Sequence, residues 1–216
     1  MTEFSVNGGA GIEYVSTKQL SSGEGKELLD NKPLTGFGAK GRLGVKLELN
    51  DDVALKLTGE GGFASLSSGE DEFVNEQTRT RLGGKFGVQL KSVELSLRYF
   101  NENKDTDRTG VRLLYPKPGE YAAPLDEPIK QNSEQTMHDV KFGVETPDEK
   151  GWKAGIGFGT KISGDDVNPA IDAKLGYNIG LSESDDSVLI FLGSGIDCAK
   201  NEGCLMTLGA DFLFGN

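Results

Sequence analysis

The chain has 216 residues, which suits one domain with a single core or one barrel and does not require two domains. Its formal net charge of −11 disfavours a nucleic-acid partner, because proteins that bind nucleic acids usually present a basic face. No run approaches the ~20 apolar residues that a transmembrane helix needs, yet 31 residues are glycine, about twice the usual share of ~7%.

The first predicted element is a strand over residues 4–14. Its apolar residues recur at every second position, which is the period of a strand: Phe4, Val6, Ala10, Ile12 and Tyr14. No secretory signal peptide precedes this strand. We therefore expect either a cytosolic protein or one from which a leader has been removed.

The next stretch, GFGAKGRLGVKLEL at residues 36–49, matches the pattern G-x-G-x-x-G at Gly36, Gly38 and Gly41. A dinucleotide-binding fingerprint must follow a strand and open a helix. Here the preceding EGKELLDNKPLT is polar, and the residues from Phe37 to Leu49 alternate between apolar and polar with period two. The stretch is therefore predicted to be a second strand, and a nucleotide site is excluded.

The same alternation recurs along the rest of the chain. It predicts ten strands, at residues 4–14, 37–49, 53–63, 82–90, 93–99, 140–144, 152–162, 171–179, 187–196 and 206–214. The ninth, SVLIFLGSGI, is uncharged on both sides, so its register is not assigned. Residues 108–115, RTGVRLLY, offer a further hairpin arm, and twelve strands are the alternative.

The charged residues of these strands lie on one side only. In the nine strands with an assigned register, the apolar side has no charge, and the polar side holds twelve basic and nine acidic residues: Lys40, Arg42, Lys46, Lys56, Arg79, Arg81, Lys85, Arg98, Lys141, Lys153, Lys161 and Lys174, with Glu3, Glu13, Glu48, Glu60, Glu94, Asp139, Glu145, Asp172 and Asp211. The polar sides thus sum to +3. Given the net charge of −11, the remaining segments sum to −14, so the acidity lies in loops and turns.

Alternation alone also fits a soluble sandwich or a lipocalin-like barrel with a buried apolar side. Three further features favour a membrane barrel: long strands, apolar aromatic residues near the strand ends, and connections that alternate in length. The short connections are 50–52, 91–92, 147–150 and 181–186; the longer ones are 16–35, 65–77, 101–135, 163–169 and 198–203. We predict an all-β, antiparallel up-and-down transmembrane barrel that forms one domain over residues 1–216, with a long extracellular loop at about 101–135.

The C-terminal LMTLGADFLFGN is similar to the assembly signal of small bacterial outer-membrane β-barrel proteins, the class of OmpA-like, opacity-type and small porin barrels. That class usually ends on an aromatic residue, whereas Gly215 and Asn216 follow Phe214 here. The resemblance implies a removed leader, insertion by the outer-membrane assembly machinery, and a location in the bacterial outer membrane. Its implied partners are outer-membrane lipid and lipopolysaccharide.

The first functional hypothesis is a narrow passive pore for small solutes or ions. Its lumen and selectivity residues would be Lys40, Arg42, Lys46, Arg79, Arg81, Lys85, Arg98, Glu48, Glu60 and Glu94. The alternative is that these charges pair and fill a closed barrel, which then acts structurally or as an adhesin through loops such as 101–135, where four of the seven prolines lie. A soluble lipid-binding β-barrel with an apolar cavity is the second alternative.

The remaining candidate residues give little support for chemistry. His138 is the single histidine, and with Asp139 beside it no arrangement around it resembles a hydrolase site. We therefore predict no enzyme activity and no cofactor. Cys198 and Cys204 flank five residues, a span that suits a disulfide in an oxidising compartment. Two free thiols are the alternative, and a metal site would need more ligands.

Overall fold

The computed structural model describes residues 3–17, 27–28, 33–70, 73–114, 125–147, 151–181, 186–197 and 204–214. The strands are β1 Glu3–Thr17, β2 Glu27–Leu28, β3 Leu34–Asn50, β4 Val53–Glu70, β5 Phe73–Leu90, β6 Val93–Leu114, β7 Leu125–Glu145, β8 Gly151–Ser163, β9 Asp166–Gly180, β10 Ser187–Asp197 and β11 Cys204–Phe214. Within these ranges no helix is long and apolar enough to cross a bilayer.

The strands form one closed antiparallel barrel. From β3 onwards each strand pairs with the next one in the chain, β1 pairs with β3, and β1 also pairs with β11 to close the wall. The short β2 stands outside this wall and pairs with Val111 and Arg112 of β6, beyond the end of the β5–β6 ladder. The wall therefore has ten strands, and the predicted fold class is confirmed.

The twelve-strand alternative is wrong. Residues 108–114 continue β6 without a break, and their backbone groups pair with β7, from Arg108 opposite Gln131 to Leu114 opposite Leu125. Because β7 already supplies partners for this segment, it forms no separate hairpin arm.

Three of the predicted long loops are shorter than expected. In segment 65–77, β4 runs to Glu70 and β5 begins at Phe73; in segment 163–169, β8 and β9 are separated by residues 164–165 alone. Most of 101–135 is a paired ladder of β6 and β7. The apolar period ends at Tyr99, so the hydrophobic pattern gave no sign of strand beyond it. Backbone pairing continues nonetheless, since it needs no apolar side chain.

The outer face of the barrel is apolar. Every wall strand exposes large apolar side chains, among them Phe4, Phe37, Leu57, Leu82, Leu97, Phe142, Trp152, Ile171, Ile190 and Leu208. Trp152 and Phe37 are each 72% exposed. Soluble monomers rarely expose a continuous apolar surface of this extent. The predicted orientation, with the apolar rows pointing away from the lumen, is therefore the one observed.

Aromatic pairs mark both ends of the wall. Tyr14 and Phe37 are opposite each other in the β1–β3 ladder, with ring centroids 5.4 Å apart. They lie towards the end of the barrel that carries the connections β1–β3, β4–β5, β6–β7, β8–β9 and β10–β11, here called the loop rim. Trp152 and Tyr177 form a similar pair, 5.3 Å apart, near the opposite end, here called the turn rim. Two aromatic girdles at these depths are typical of membrane barrels.

The interior is mostly polar, but it contains two small apolar clusters. One consists of Val15, Leu34 and Leu66 near the loop rim. The other consists of Leu189, Phe191 and Leu213, nearer the turn rim, and it fixes the register of β10 that the sequence left open. The soluble lipid-binding alternative needs the apolar rows to line the cavity, but in the structure these rows face outward, so that alternative is wrong.

Candidate functional site

A cavity of about 330 Å³ lies inside the barrel. It is lined on β1 by the inward positions 7, 9, 11, 13 and 15, and on β4 by 56, 58, 60, 62 and 64. On each of these two strands, the first and the last of the lining positions are eight residues apart. At ~3.3 Å per residue and a tilt of ~40°, this depth is roughly 20 Å along the barrel axis. The cavity therefore extends through most of the thickness of the apolar belt.

Charged side chains dominate the cavity wall. Among the described residues, ten basic and seven acidic side chains line it: Lys40, Arg42, Lys56, Arg79, Arg81, Lys85, Arg98, Lys141, Lys161 and Lys174, with Glu13, Glu60, Glu102, Asp139, Glu145, Asp172 and Asp211. The wall is thus mildly basic inside a chain that is acidic as a whole.

The structure brings seven of the ten predicted lumen residues to the cavity wall: Lys40, Arg42, Glu60, Arg79, Arg81, Lys85 and Arg98. Glu94 also points inward, but its side chain is 1% exposed and packs between two lysines. Lys46 and Glu48 do not reach the cavity in the described structure. They form an ion pair with each other at the end of β3, where the register with β4 shifts between Glu48 and Asn50.

Glycines make room for the large inward side chains. Gly11 pairs with Lys40 on one side and with Asp211 on the other, and a Cβ at Gly11 would collide with the Asp211 carboxylate. A Cβ at Gly143 or at Gly157 would likewise collide with the guanidinium group of Arg98, which lies over both glycines. Side chains two or more strands apart can therefore meet across a glycine. This arrangement accounts for part of the glycine excess in the sequence.

One group of inward ion pairs, near the turn rim, surrounds Glu94. Its Oε2 lies 2.8 Å from Lys56 Nζ, and its Oε1 contacts Lys85. Lys85 Nζ also donates to Glu145 Oε1 at 2.9 Å, and Ser96 Oγ donates to the same oxygen at 3.1 Å. These contacts tie together β4, β5, β6 and β7 on the inner side of the wall.

A second group lies across the middle of the lumen. Arg98 Nη2 lies 3.3 Å from Asp172 Oδ1, and this contact joins β6 to β9. Lys141 Nζ lies 3.0 Å from Asp172 Oδ2 and 3.0 Å from Asp139 Oδ2. Arg98, Lys141 and Asp172 lie on β6, β7 and β9, so the order of the strands in the wall brings them together, whereas Lys141 and Asp139 are neighbours on the inner side of β7.

A third group surrounds an inward aromatic ring. Lys40 Nζ lies 4.1 Å and Lys174 Nζ 3.9 Å from the centre of the Phe191 ring. The same two ammonium groups approach Asp211, at 3.1 Å for Lys40 and 3.6 Å for Lys174, and Lys40 also lies 3.6 Å from Glu13. Cation–π and ionic contacts therefore hold both lysines at one wall of the cavity.

Sequence reasoning missed Glu102, Phe100 and Phe191. Glu102 forms ion pairs with Lys161 at 3.5 Å and Arg79 at 3.8 Å, but it lay within the predicted loop. Its even-numbered position continues the inward series of β6 after Arg98, and this parity could have revealed both Glu102 and Phe100. Phe191 gave no such signal, because SVLIFLGSGI is apolar on both sides.

His138 lies on the outer wall, away from the cavity. Its Nδ1 is 2.9 Å from Tyr99 Oη, and the two rings stack with centroids 6.1 Å apart. The described residues contain no group of three or more His, Cys, Asp or Glu side chains placed to hold a metal ion. The predicted bond between Cys198 and Cys204 lies outside the described part of the chain, because Cys198 and the Cys204 side chain are not included in it.

The sequence matches no protein-family model, and no curated protein shows significant similarity to it. Solved structures do resemble the fold. The β-domain of the Bordetella autotransporter BrkA has a TM-score of 0.50 at 9% identity, covering 96% of this chain and 98% of that one. An outer-membrane channel from Pseudomonas putida F1 has a TM-score of 0.48 at 10% identity (98% and 95% covered). Ail of Yersinia pestis has a TM-score of 0.43 at 13% identity (96% and 98% covered).

At these identities the likeness concerns the fold alone, and the BrkA comparison has the TM-score that supports it. The chain has the fold of the outer-membrane β-barrels that its sequence was predicted to resemble.

Proposed function

We propose that the protein is an integral β-barrel of the bacterial outer membrane and that its lumen is a narrow passive route for small solutes or ions. The observation that carries this proposal is the charged cavity, which continues through five successive inward layers of β1 and β4. A barrel that acted only as an anchor could fill this space with side chains, whereas here a charged cavity remains.

The outer face supports the membrane part of the proposal. In hydrocarbon every backbone N–H and C=O must be paired internally, so a sheet can span only as a closed barrel. The β1–β11 pairing provides that closure, and the exposed apolar belt provides the surface that lipid would cover.

The bacterial outer membrane is the location that the fold supports best. Outer-membrane lipid and lipopolysaccharide would then surround the belt, and the assembly machinery would insert the barrel. The C-terminal strand β11 supports insertion by that route, because Met206, Leu208, Phe212 and Phe214 are all exposed on its outer side.

The cavity charges set the expected selectivity. With ten basic and seven acidic side chains on the described wall, the potential inside is mildly positive, which favours small anions over cations of the same size. The extensive ion pairing, as at Lys56 and Glu94, leaves a narrow space and so predicts a low conductance.

Planar-bilayer recording tests the proposal. Purified protein that shows the compact gel migration of a folded barrel before boiling is added to a bilayer in a KCl gradient. We expect small, discrete current steps, and a reversal potential displaced towards that of chloride. Folded protein that produces no steps at high salt would contradict the pore.

A second candidate function is a surface barrel that acts through its outer loops. The specific observation behind it is the length of β6 and β7, which contain 22 and 21 residues, about twice the ~9–11 that a strand needs to span a bilayer. Their ladder continues past Tyr99, where the apolar belt ends. The proposed function is non-enzymatic in either case.

A further inference from the structure

Three arginines of the cavity wall differ in how their guanidinium groups are held. Arg79 Nε donates to Gln77 Oε1 at 2.6 Å, and Arg98 Nη2 donates to Asp172 Oδ1 at 3.3 Å. Among these three described arginines, Arg81 alone donates no hydrogen bond to another described residue; its Nε is buried without a partner, as is the Nε of Arg98. The guanidinium N–H groups of Arg81 are therefore available to a ligand.

The ion pair that Arg81 does form is weak. Arg81 Nη2 lies 3.7 Å from Asp139 Oδ2, which is too long for a hydrogen bond. That same oxygen accepts a hydrogen bond from Lys141 Nζ at 3.0 Å. Lys141 thus occupies the Asp139 oxygen nearest Arg81, and no described residue accepts a hydrogen bond from the Arg81 guanidinium. The side chain is 40% exposed within the lumen.

A buried ring holds Arg81 in place. The Arg81 Cζ lies 3.7 Å from the centre of the Phe100 ring, and Phe100 is itself buried. The ring lies over Gly83, where a Cβ would come within 2.6 Å of Phe100 Cδ1. An aromatic ring occupies only one face of a guanidinium, so the N–H groups in its plane remain available.

We propose that Arg81, supported by Phe100, binds the oxyanion group of a small solute in the lumen, either a carboxylate or a phosphate. The planar fork of a guanidinium matches both groups through two parallel N–H···O bonds. This inference rests on the proposed function, because the cavity is the route by which a solute reaches Arg81. The site deepens that function by naming the class of solute that the lumen selects.

Titration calorimetry on the detergent-folded protein tests the site. Inorganic phosphate and acetate are the two probes, each titrated at constant ionic strength against chloride. We expect saturable binding of at least one of them by the wild type. Arg81→Gln should weaken it by ~10-fold or more, the usual effect of losing charge-assisted hydrogen bonds.

The matched comparison is Arg79→Gln, which removes the same charge from the same face of β5. Because Arg79 is engaged by Gln77, we expect this change to weaken binding by roughly 3-fold at most, a charge effect without loss of the fork. Arg81→Lys keeps the charge and loses the planar fork, so it should fall between these variants. If Arg81→Gln does not fold, as judged by gel migration without boiling, Arg81→Lys takes its place as the test variant.

Equal weakening by Arg81→Gln and Arg79→Gln would overturn the site, since summed lumen charge would then explain binding. Absence of saturable binding of phosphate and acetate by the wild type would overturn it too. Bilayer conductance of the same preparation separates this inference from the pore. A protein that conducts without such binding keeps the pore and loses the site; one that binds through Arg81 without conducting keeps the site and loses the pore.

Discussion

Glu94 illustrates how single residues stabilise the interior of this barrel. Its carboxylate is 1% exposed and lies between the ammonium groups of Lys56 and Lys85. Gly87 on β5 makes room for it, because a Cβ at Gly87 would come within 2.8 Å of Glu94 Oε1. A buried charge is tolerated only when opposite charges and hydrogen bonds compensate it, and here two lysines do so.

Glu94→Gln is expected to lower the free energy of unfolding by roughly 3 kcal/mol, because it leaves the buried Lys56 ammonium without its counter-charge. Urea unfolding in detergent micelles, followed by the fluorescence of Trp152, measures the change. Glu48→Gln is the control, since Glu48 is 41% exposed and pairs with Lys46 outside the cavity. It should leave stability unchanged. Equal losses in both variants would contradict a specific role for the buried group.

The inward direction of individual residues was predictable from the sequence, but their partners were not. Alternation alone assigned Lys40, Arg98 and Asp172 to the polar side. The contact between Arg98 and Asp172 spans 74 positions in sequence, and it depends on how far each strand is shifted against its neighbours. That stagger is set by backbone pairing around the closed wall, and a single sequence carries no signal for it.

Among the elements, the strands differ in how well the sequence predicted them. β3, which extends from Leu34 to Asn50, was recognised over 37–49, because apolar and charged residues alternate from Phe37 to Leu49. The outer parts of β6 and β7 were not, because polar residues on both sides give no hydrophobic period. The register of β10 was also open, for the opposite reason that both of its sides are apolar. Period-two analysis thus finds strands only where the two sides have different environments.

Removal of the outer β6–β7 ladder keeps the β6–β7 pairs from Asp107 towards the turn rim, and the other pairs that it removes are the last β5–β6 pair, at Arg108, and those with β2. Asp107 and Asn132 are opposite each other, so residues 108–131 can be replaced with an Asn-Gly turn that suits a two-residue hairpin. We expect this variant to fold and to keep the current steps of the parent, because the described cavity residues all lie outside the replaced segment. Bilayer recording and gel migration without boiling measure both properties.

A variant that replaces only residues 115–124 is the control for shortening the chain. Larger steps after removal of 108–131 alone would mean that the ladder constricts the route. Complete loss of conductance from a folded variant would contradict a route formed by the barrel wall. Retained conductance together with lost attachment of cells to a surface would give the ladder an adhesive role, the second candidate function.

At the scale of the whole molecule, the contrast between an acidic chain and a mildly basic lumen is the main electrostatic feature. Net charge is −11 over the full sequence, while the described cavity wall has three more basic than acidic side chains. Alternation was sufficient to predict ten strands and this partition of charge, whereas the membrane barrel was predicted only with the added evidence of strand length, aromatic residues near the strand ends and connection lengths. Whether the lumen conducts depends on side-chain packing at the ångström scale, which alternation does not determine.

Spin labelling along β4 tests the central claim most directly, namely that the apolar face lies in lipid and the charged face lies in an aqueous lumen. Single cysteines are placed at each position from 55 to 64 in a background where Cys198 and Cys204 are serine, and the labelled proteins are refolded into liposomes. We predict that odd positions are accessible to oxygen, which concentrates in lipid, and that even positions are accessible to a water-soluble nickel reagent. Access of oxygen to the even positions and of the nickel reagent to the odd positions would contradict this claim, and so would the absence of any alternation.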